Sequence, residues 1–151
     1  MITYETSALG PILEELKPIL HLHYEEVAEN KDKISLNPDY DKYLAMDAAG
    51  ILHTVLARDG EKIIGYFICF VTPHIHYKDH LFASNDILFI HPDYRKGRAG
   101  IGLFKFAEQD LKAKGVSVLI IHMKVKHPFD PLCIKLGYTN IERLYSKYIG
   151  D

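Results

Sequence analysis

The stretch Ile87–Leu103 reads ILFIHPDYRKGRAGIGL and decides the fold. Apolar residues of strand character run into a Pro92-Asp93-Tyr94-Arg95 turn, and a glycine-studded loop then opens a helix. Backbone N–H groups at a helix start are unpaired and carry the positive end of the helix dipole, so they attract phosphate. Gly97, Gly100 and Gly102 would let a bulky anion approach the backbone closely. Arg95, Lys96 and Arg98 add cationic side chains beside them. The reading is a pyrophosphate cradle formed by Arg95, Gly97, Arg98, Ala99, Gly100, Ile101 and Gly102. The plain alternative is a strand-to-helix turn that merely needs small residues.

Two common cradles fit the spacing poorly. A P-loop needs Lys-Ser or Lys-Thr after its last glycine, and neither follows here. A dinucleotide fingerprint needs G-x-G-x-x-G, yet Lys105 stands three residues after Gly102. What remains is G-x-x-G-x-G, Gly97 to Gly102, directly after a strand and Pro-x-Tyr-Arg.

Working outward, the helix Gly100–Lys114 carries a buried-type stripe at Gly100, Leu103, Phe104, Ala107 and Leu111. Before the motif, Leu81–His91 reads as a strand and His74–His80 as a polar turn. Ile51–Arg58 and Lys62–Pro73 form a hairpin about Asp59-Gly60, and the run Ile63–Val71 predicts burial on both faces. Further upstream stand a short strand, Ile2–Glu5, and a helix, Pro38–Ala49. Leu9–Glu29 predicts two helices, because Pro18 removes a backbone donor and clashes with the preceding turn. After the motif, Val116–Val125 predicts a buried central strand, Pro128–Leu136 a short helix, and Tyr138–Ile149 a final strand. The order implies an α/β fold, a mixed sheet with helices on its faces.

A chain of 151 residues fits one domain spanning 1–151. A domain of that size buries about 70% of its unfolded surface. The net charge of −2 argues against a general nucleic-acid binder. No apolar run is long enough to cross a membrane. Cys69 and Cys133, with no signal peptide ahead of them, predict reduced thiols and a cytoplasmic protein. His74, His76 and His80 lack a completing Cys or carboxylate, so no metal is assigned.

The Gly97–Gly102 motif after V/I-x-P-x-Tyr-Arg resembles the acyl-CoA-binding motif of the GNAT N-acetyltransferases, written (Q/R)-x-x-G-x-(G/A). The likeness is close over Asp86–Gly115, looser over Val116–Gly137, and limited to element order in the N-terminal third. Gly97 departs from the Gln or Arg of the family's first position, and Arg95 or Arg98 could supply that contact. The resemblance implies a mostly antiparallel mixed sheet with helices on both faces and a splayed central strand pair. It implies acetyl-CoA as acyl donor, its pantetheine arm bonded to backbone groups of Leu88, Phe89 and Ile90.

Acetyl transfer to a primary amine needs a base for the ammonium, support for an oxyanion and a proton for the departing thiolate. Asp86 is the candidate base, near where the family often carries a strand glutamate; alternatively it is an exposed residue at the strand's start. The family's acid is a Tyr on the short helix, and the matching position holds Cys133. That thiol is either the proton donor or a packed side chain. The acceptor site falls on the N-terminal helices, with His23 and Glu26 as candidate contacts, or these form a solvated face. A small-molecule or peptide amine is the expected partner, and a homodimer is left open. The rival reading is a catalytically weak or inactive module of the same shape that binds CoA or a protein partner.

Overall fold

The computed structural model describes residues 1–151. Strand β3 (Lys62–His74) lies at the centre, and from Ile63 to Cys69 every residue is buried, as its unbroken apolar run demands. Strand β2 (Leu52–Asp59) pairs with it antiparallel across a two-residue turn that Gly60 enters at φ 61. Strand β1 (Ile2–Thr6) pairs antiparallel with β2. Strand β4 (Tyr77–Ile90) pairs antiparallel with β3, and β5 (Val116–Ile120) joins β4 in parallel. The sheet order is β1-β2-β3-β4-β5.

Helices cover both faces. Helix α3 (Ala99–Ala113) buries Leu103, Phe104, Ala107 and Leu111 against Val55, Phe67 and Ala83, so the predicted stripe is the core stripe. A 3-10 turn (Gly10–Ile12), α1 (Leu13–Val27) and α2 (Tyr40–Ala48) close the other face over Leu56, Tyr66 and Phe89. Helix α4 (Asp130–Lys135) follows β5. No helix is long and apolar enough to cross a membrane.

The structure corrects several expectations. Pro18 sits inside one continuous α1 and does not divide it. It forfeits one backbone bond, but burial of Leu13 and Leu16 against the sheet holds the helix together. The predicted His74–His80 turn shrinks to Ile75-His76, and Tyr77–His80 belong to β4. Strand β5 ends at Ile120 and forms the sheet's edge, with Ser117 and Val118 exposed, where a buried central strand to Val125 was expected. The splayed pair is therefore β4 and β5 at one end of the sheet. Tyr138–Ile149 forms no strand: residues 139–151 make no backbone–backbone hydrogen bond, and Ile141, Leu144, Tyr145 and Ile149 are exposed. Interleaved aromatic and polar residues express only a local preference, which becomes a strand only where an edge receives it.

Candidate active site

The site grows from a change of partners along β4. Its residues Leu81–Ser84 pair with β5, and the ladder then stops. At the next position the buried Asn85 carboxamide takes over. Its Nδ2 donates to the His122 carbonyl at 3.1 Å, and its Oδ1 accepts from the His122 N–H at 2.6 Å. One side chain thus ends the β5 pairing and satisfies the first backbone groups past the seam. Beyond it, Asp86–Ile90 have β3 on one edge and no strand on the other. Asp86 itself is a bulge, with no opposite number between the pairs Ile68–Ile87 and Cys69–Asn85. Leu88 and Ile90 are half-buried toward α3, and Phe89 is buried toward α1.

The open edge leads through a 3-10 turn (Pro92–Tyr94) to the start of α3. Tyr94 donates its hydroxyl to Asp59 at 3.0 Å, fastening this turn to the β2–β3 hairpin. Helix α3 has no side-chain cap, and its first helical bond runs from the Gly102 N–H to the Arg98 carbonyl. The amides of Ala99, Gly100 and Ile101 are therefore unpaired donors at the positive end of a 15-residue helix. Lys96 and Arg98 stand beside them without an acidic partner, whereas Arg95 is paired with Glu26 and the Ile90 carbonyl. The glycines divide by role. A Cβ at Gly102 would collide with the Tyr4 ring and hydroxyl, so packing on β1 dictates that glycine. A Cβ at Gly100 would meet only Leu132 at 3.7 Å, and at Gly97 there is room.

On the α1–α2 face a polar group meets the same stretch of β4. The Tyr43 hydroxyl of α2 donates to the Asp86 carboxylate. Burial pushes the Asp86 carboxyl up from the usual range, and Tyr43 draws it partly back. Tyr43 also lines a hollow with Asp39, Lys42, Met46 and Phe70. Close by, His23 Nδ1 lies 2.6 Å from the Tyr66 hydroxyl, and its ring packs on Phe89 at 5.0 Å. Burial lowers the His23 pKa to about 4, so the ring is neutral near pH 7. Glu26 is gripped by both terminal nitrogens of Arg95, each at 2.7 Å, which holds its carboxyl below the usual range.

Asp86 and His23 thus face one region, and Glu26 joins them through Arg95. Cys133 is apart, on α4, buried, with its thiol pushed up by that burial and then by Asp130. Three residues of the site escaped sequence reasoning: Asn85, Tyr43 and Tyr66. Asn85 alone left a trace, as an amide inside a strand beside Asp86.

The sequence matches the model of the acetyltransferase (GNAT) family over residues 13–132. Comparison with curated proteins finds no match. Among solved structures, the chain resembles a GCN5-related N-acetyltransferase from Ralstonia eutropha JMP134, with TM-score 0.79, 16% identity, and coverage of 99% of this chain and 100% of that one. It also resembles an aminoglycoside acetyltransferase from an uncultured soil metagenomic sample in complex with sisomicin (TM-score 0.77, 15% identity, 99% and 95% covered). A third likeness is to a predicted acetyltransferase with acetyl-CoA from Clostridium acetobutylicum (TM-score 0.70, 15% identity, 99% and 97% covered).

Proposed function

Because the chain belongs to the acetyltransferase (GNAT) family, we propose that it transfers an acetyl group from acetyl-CoA to a primary amine. The observation that supports this most is the one-sided pairing of β4 beyond Asn85, leading directly to the uncapped start of α3. Along β4 the backbone groups of Phe89 turn to β3 and the Ile90 carbonyl is held by Arg95, so an extended arm can bond the free edge at Leu88 while a pyrophosphate meets the Ala99–Ile101 amides and Arg98. No acidic side chain on α3's first turn competes for those amides.

Transfer then needs no protein nucleophile. Asp86, its pKa raised by burial, accepts a proton from the acceptor ammonium directly or through water. Tyr43 fixes the carboxylate while it does so. The freed amine attacks the thioester carbonyl, a β4 amide on the open edge supports the oxyanion, the C–S bond breaks, and the surplus proton on the new amide nitrogen passes to the departing thiolate. Water relays that proton in this reading, with Cys133 the candidate side-chain donor. His23 and Glu26 border the acceptor's approach, and a small-molecule or peptide amine fits that mixture of neutral ring and carboxylate. Two buried free cysteines suit a reducing, cytoplasmic setting.

The second reading, a module that binds CoA without turnover, is favoured by Gly97 and Cys133 standing where the family's Gln or Arg and Tyr would be. Thiol release from acetyl-CoA across a panel of polyamines, aminoglycosides and lysine peptides, with mass spectrometry of products, decides between them. Acetylated amine supports the enzyme; CoA binding without thiol release supports the module.

A further inference from the structure

Arg95 donates to protein from each of its three side-chain nitrogens. Nε donates to the Ile90 carbonyl at 2.8 Å, while the two terminal nitrogens hold the two Glu26 oxygens at 2.7 Å each. The guanidinium also lies over the Phe89 ring, 5.4 Å from its centroid. A bidentate grip on a carboxylate uses the same geometry that grips a phosphate. A phosphate that takes the same two terminal nitrogens displaces Glu26 from them.

The location makes the displacement matter. Arg95 sits at the foot of the loop whose neighbours Lys96 and Arg98 have no acidic partner, while Glu26 comes from α1, 69 residues away in sequence. The pair is partly open to water, with side chains 40% and 22% exposed. Such a part-exposed pair is weak enough to exchange. The Ile90 contact supplies a pivot: the fork can turn about Nε without leaving β4. Once Arg95 turns, Glu26 keeps only histidines as neighbours, His127 at 3.9 Å and the neutral His23.

We propose that Glu26 and the donor's pyrophosphate compete for Arg95, so that donor binding opens an ionic latch between α1 and the cradle and frees the Glu26 carboxylate for the acceptor's ammonium. This rests on the acetyl-CoA reading above and adds to it a coupling between the two substrates. By linkage the coupling favours acceptor binding after donor.

The test is calorimetry of CoA and of pantetheine, which lacks the pyrophosphate, with wild type, Glu26→Gln and Arg95→Ala, each checked for folding by thermal melt. Glu26→Gln should bind CoA roughly two- to fivefold more tightly, the worth of a part-exposed pair, and pantetheine no more tightly. In the Arg95→Ala background the Glu26 substitution should change nothing. The KM for the amine found by thiol release should rise in Glu26→Gln while the donor's falls. A CoA affinity that is unchanged or weakened in Glu26→Gln, or a shift equal for CoA and pantetheine, would overturn the latch and leave the acetyl-CoA reading standing. Failure of wild type to bind CoA would overturn both.

Discussion

The two halves of β4 share a strand but not a circumstance. From Leu81 to Ser84 the backbone has β3 on one side and β5 on the other; from Asn85 to Ile90 it has β3 alone. The doubly paired half needs nothing further. In the singly paired half the Ile90 carbonyl accepts from Arg95, and the outward groups of Leu88 are left without a strand partner, a state that proteins reserve for water or a ligand. The divide is set by one side chain, the Asn85 amide, which meets the His122 backbone where a β5 residue would otherwise continue the ladder. The proposed chemistry begins where pairing stops, and Asp86, the first residue past the seam, has its carboxyl raised by burial.

The largest expected effect falls on that first residue. Asp86→Asn should lower turnover on the order of 10²–10⁴, the usual worth of general-base catalysis, while CoA affinity stays close to wild type. Thiol-release kinetics and calorimetry measure the two, and unchanged turnover would give the base's role to another group. The next effect falls on the seam. Asn85→Ala leaves both His122 backbone groups without their partner in a part-buried place, which should cost about 1–2 kcal/mol and lower the melting temperature by roughly 2–8 °C. Hydrogen exchange should find the His122 amide newly unprotected. A variant that melts with wild type would mean that the opening does not depend on this amide.

Tyr43→Phe sharpens the contrast through pH. A base works in its deprotonated form, so turnover rises with pH through the Asp86 pKa. The Tyr43 bond pulls that pKa down against burial, so its removal should move the acid limb of the pH–rate profile to higher pH. Turnover on the alkaline plateau should change little. A limb that stays put, or moves down, would separate Asp86 from the rate. The smallest effect belongs to Cys133, away from the seam on α4. As a buried, packed thiol it should lose about 1 kcal/mol of stability on conversion to Ala, with turnover near wild type. A large rate loss at unchanged melting temperature would make it the proton donor.

The contrast also explains what could be read from sequence. Ile87–Leu103 was legible because turn chemistry, glycine spacing and the stripe at Leu103, Phe104, Ala107 and Leu111 are all local. Gly102 was legible as a glycine but not in its cause, since the ring it admits belongs to Tyr4, at the far end of the chain. Tyr43 meets Asp86 and Tyr66 meets His23 across 43 residues in each case, with no periodic mark on the chain. Arg95 showed its charge, and only the fold shows that Glu26 holds it. The C-terminal segment misled for the opposite reason: its local pattern is strand-like, but β5 is only five residues long and no edge receives the tail.

The central claim is that the open half of β4 and the start of α3 together hold an acyl-CoA donor. Its most direct measurement is calorimetry of acetyl-CoA with wild type and Gly100→Glu. A Cβ at position 100 meets only Leu132, at an ordinary 3.7 Å, so the variant should fold. Its carboxylate would stand beside the free Ala99–Ile101 amides and repel the pyrophosphate. The expected result is clear binding to wild type and affinity reduced roughly tenfold or more in the variant, as follows when like-charge repulsion replaces charge-assisted hydrogen bonding. Equal affinity in a folded Gly100→Glu protein would contradict the account.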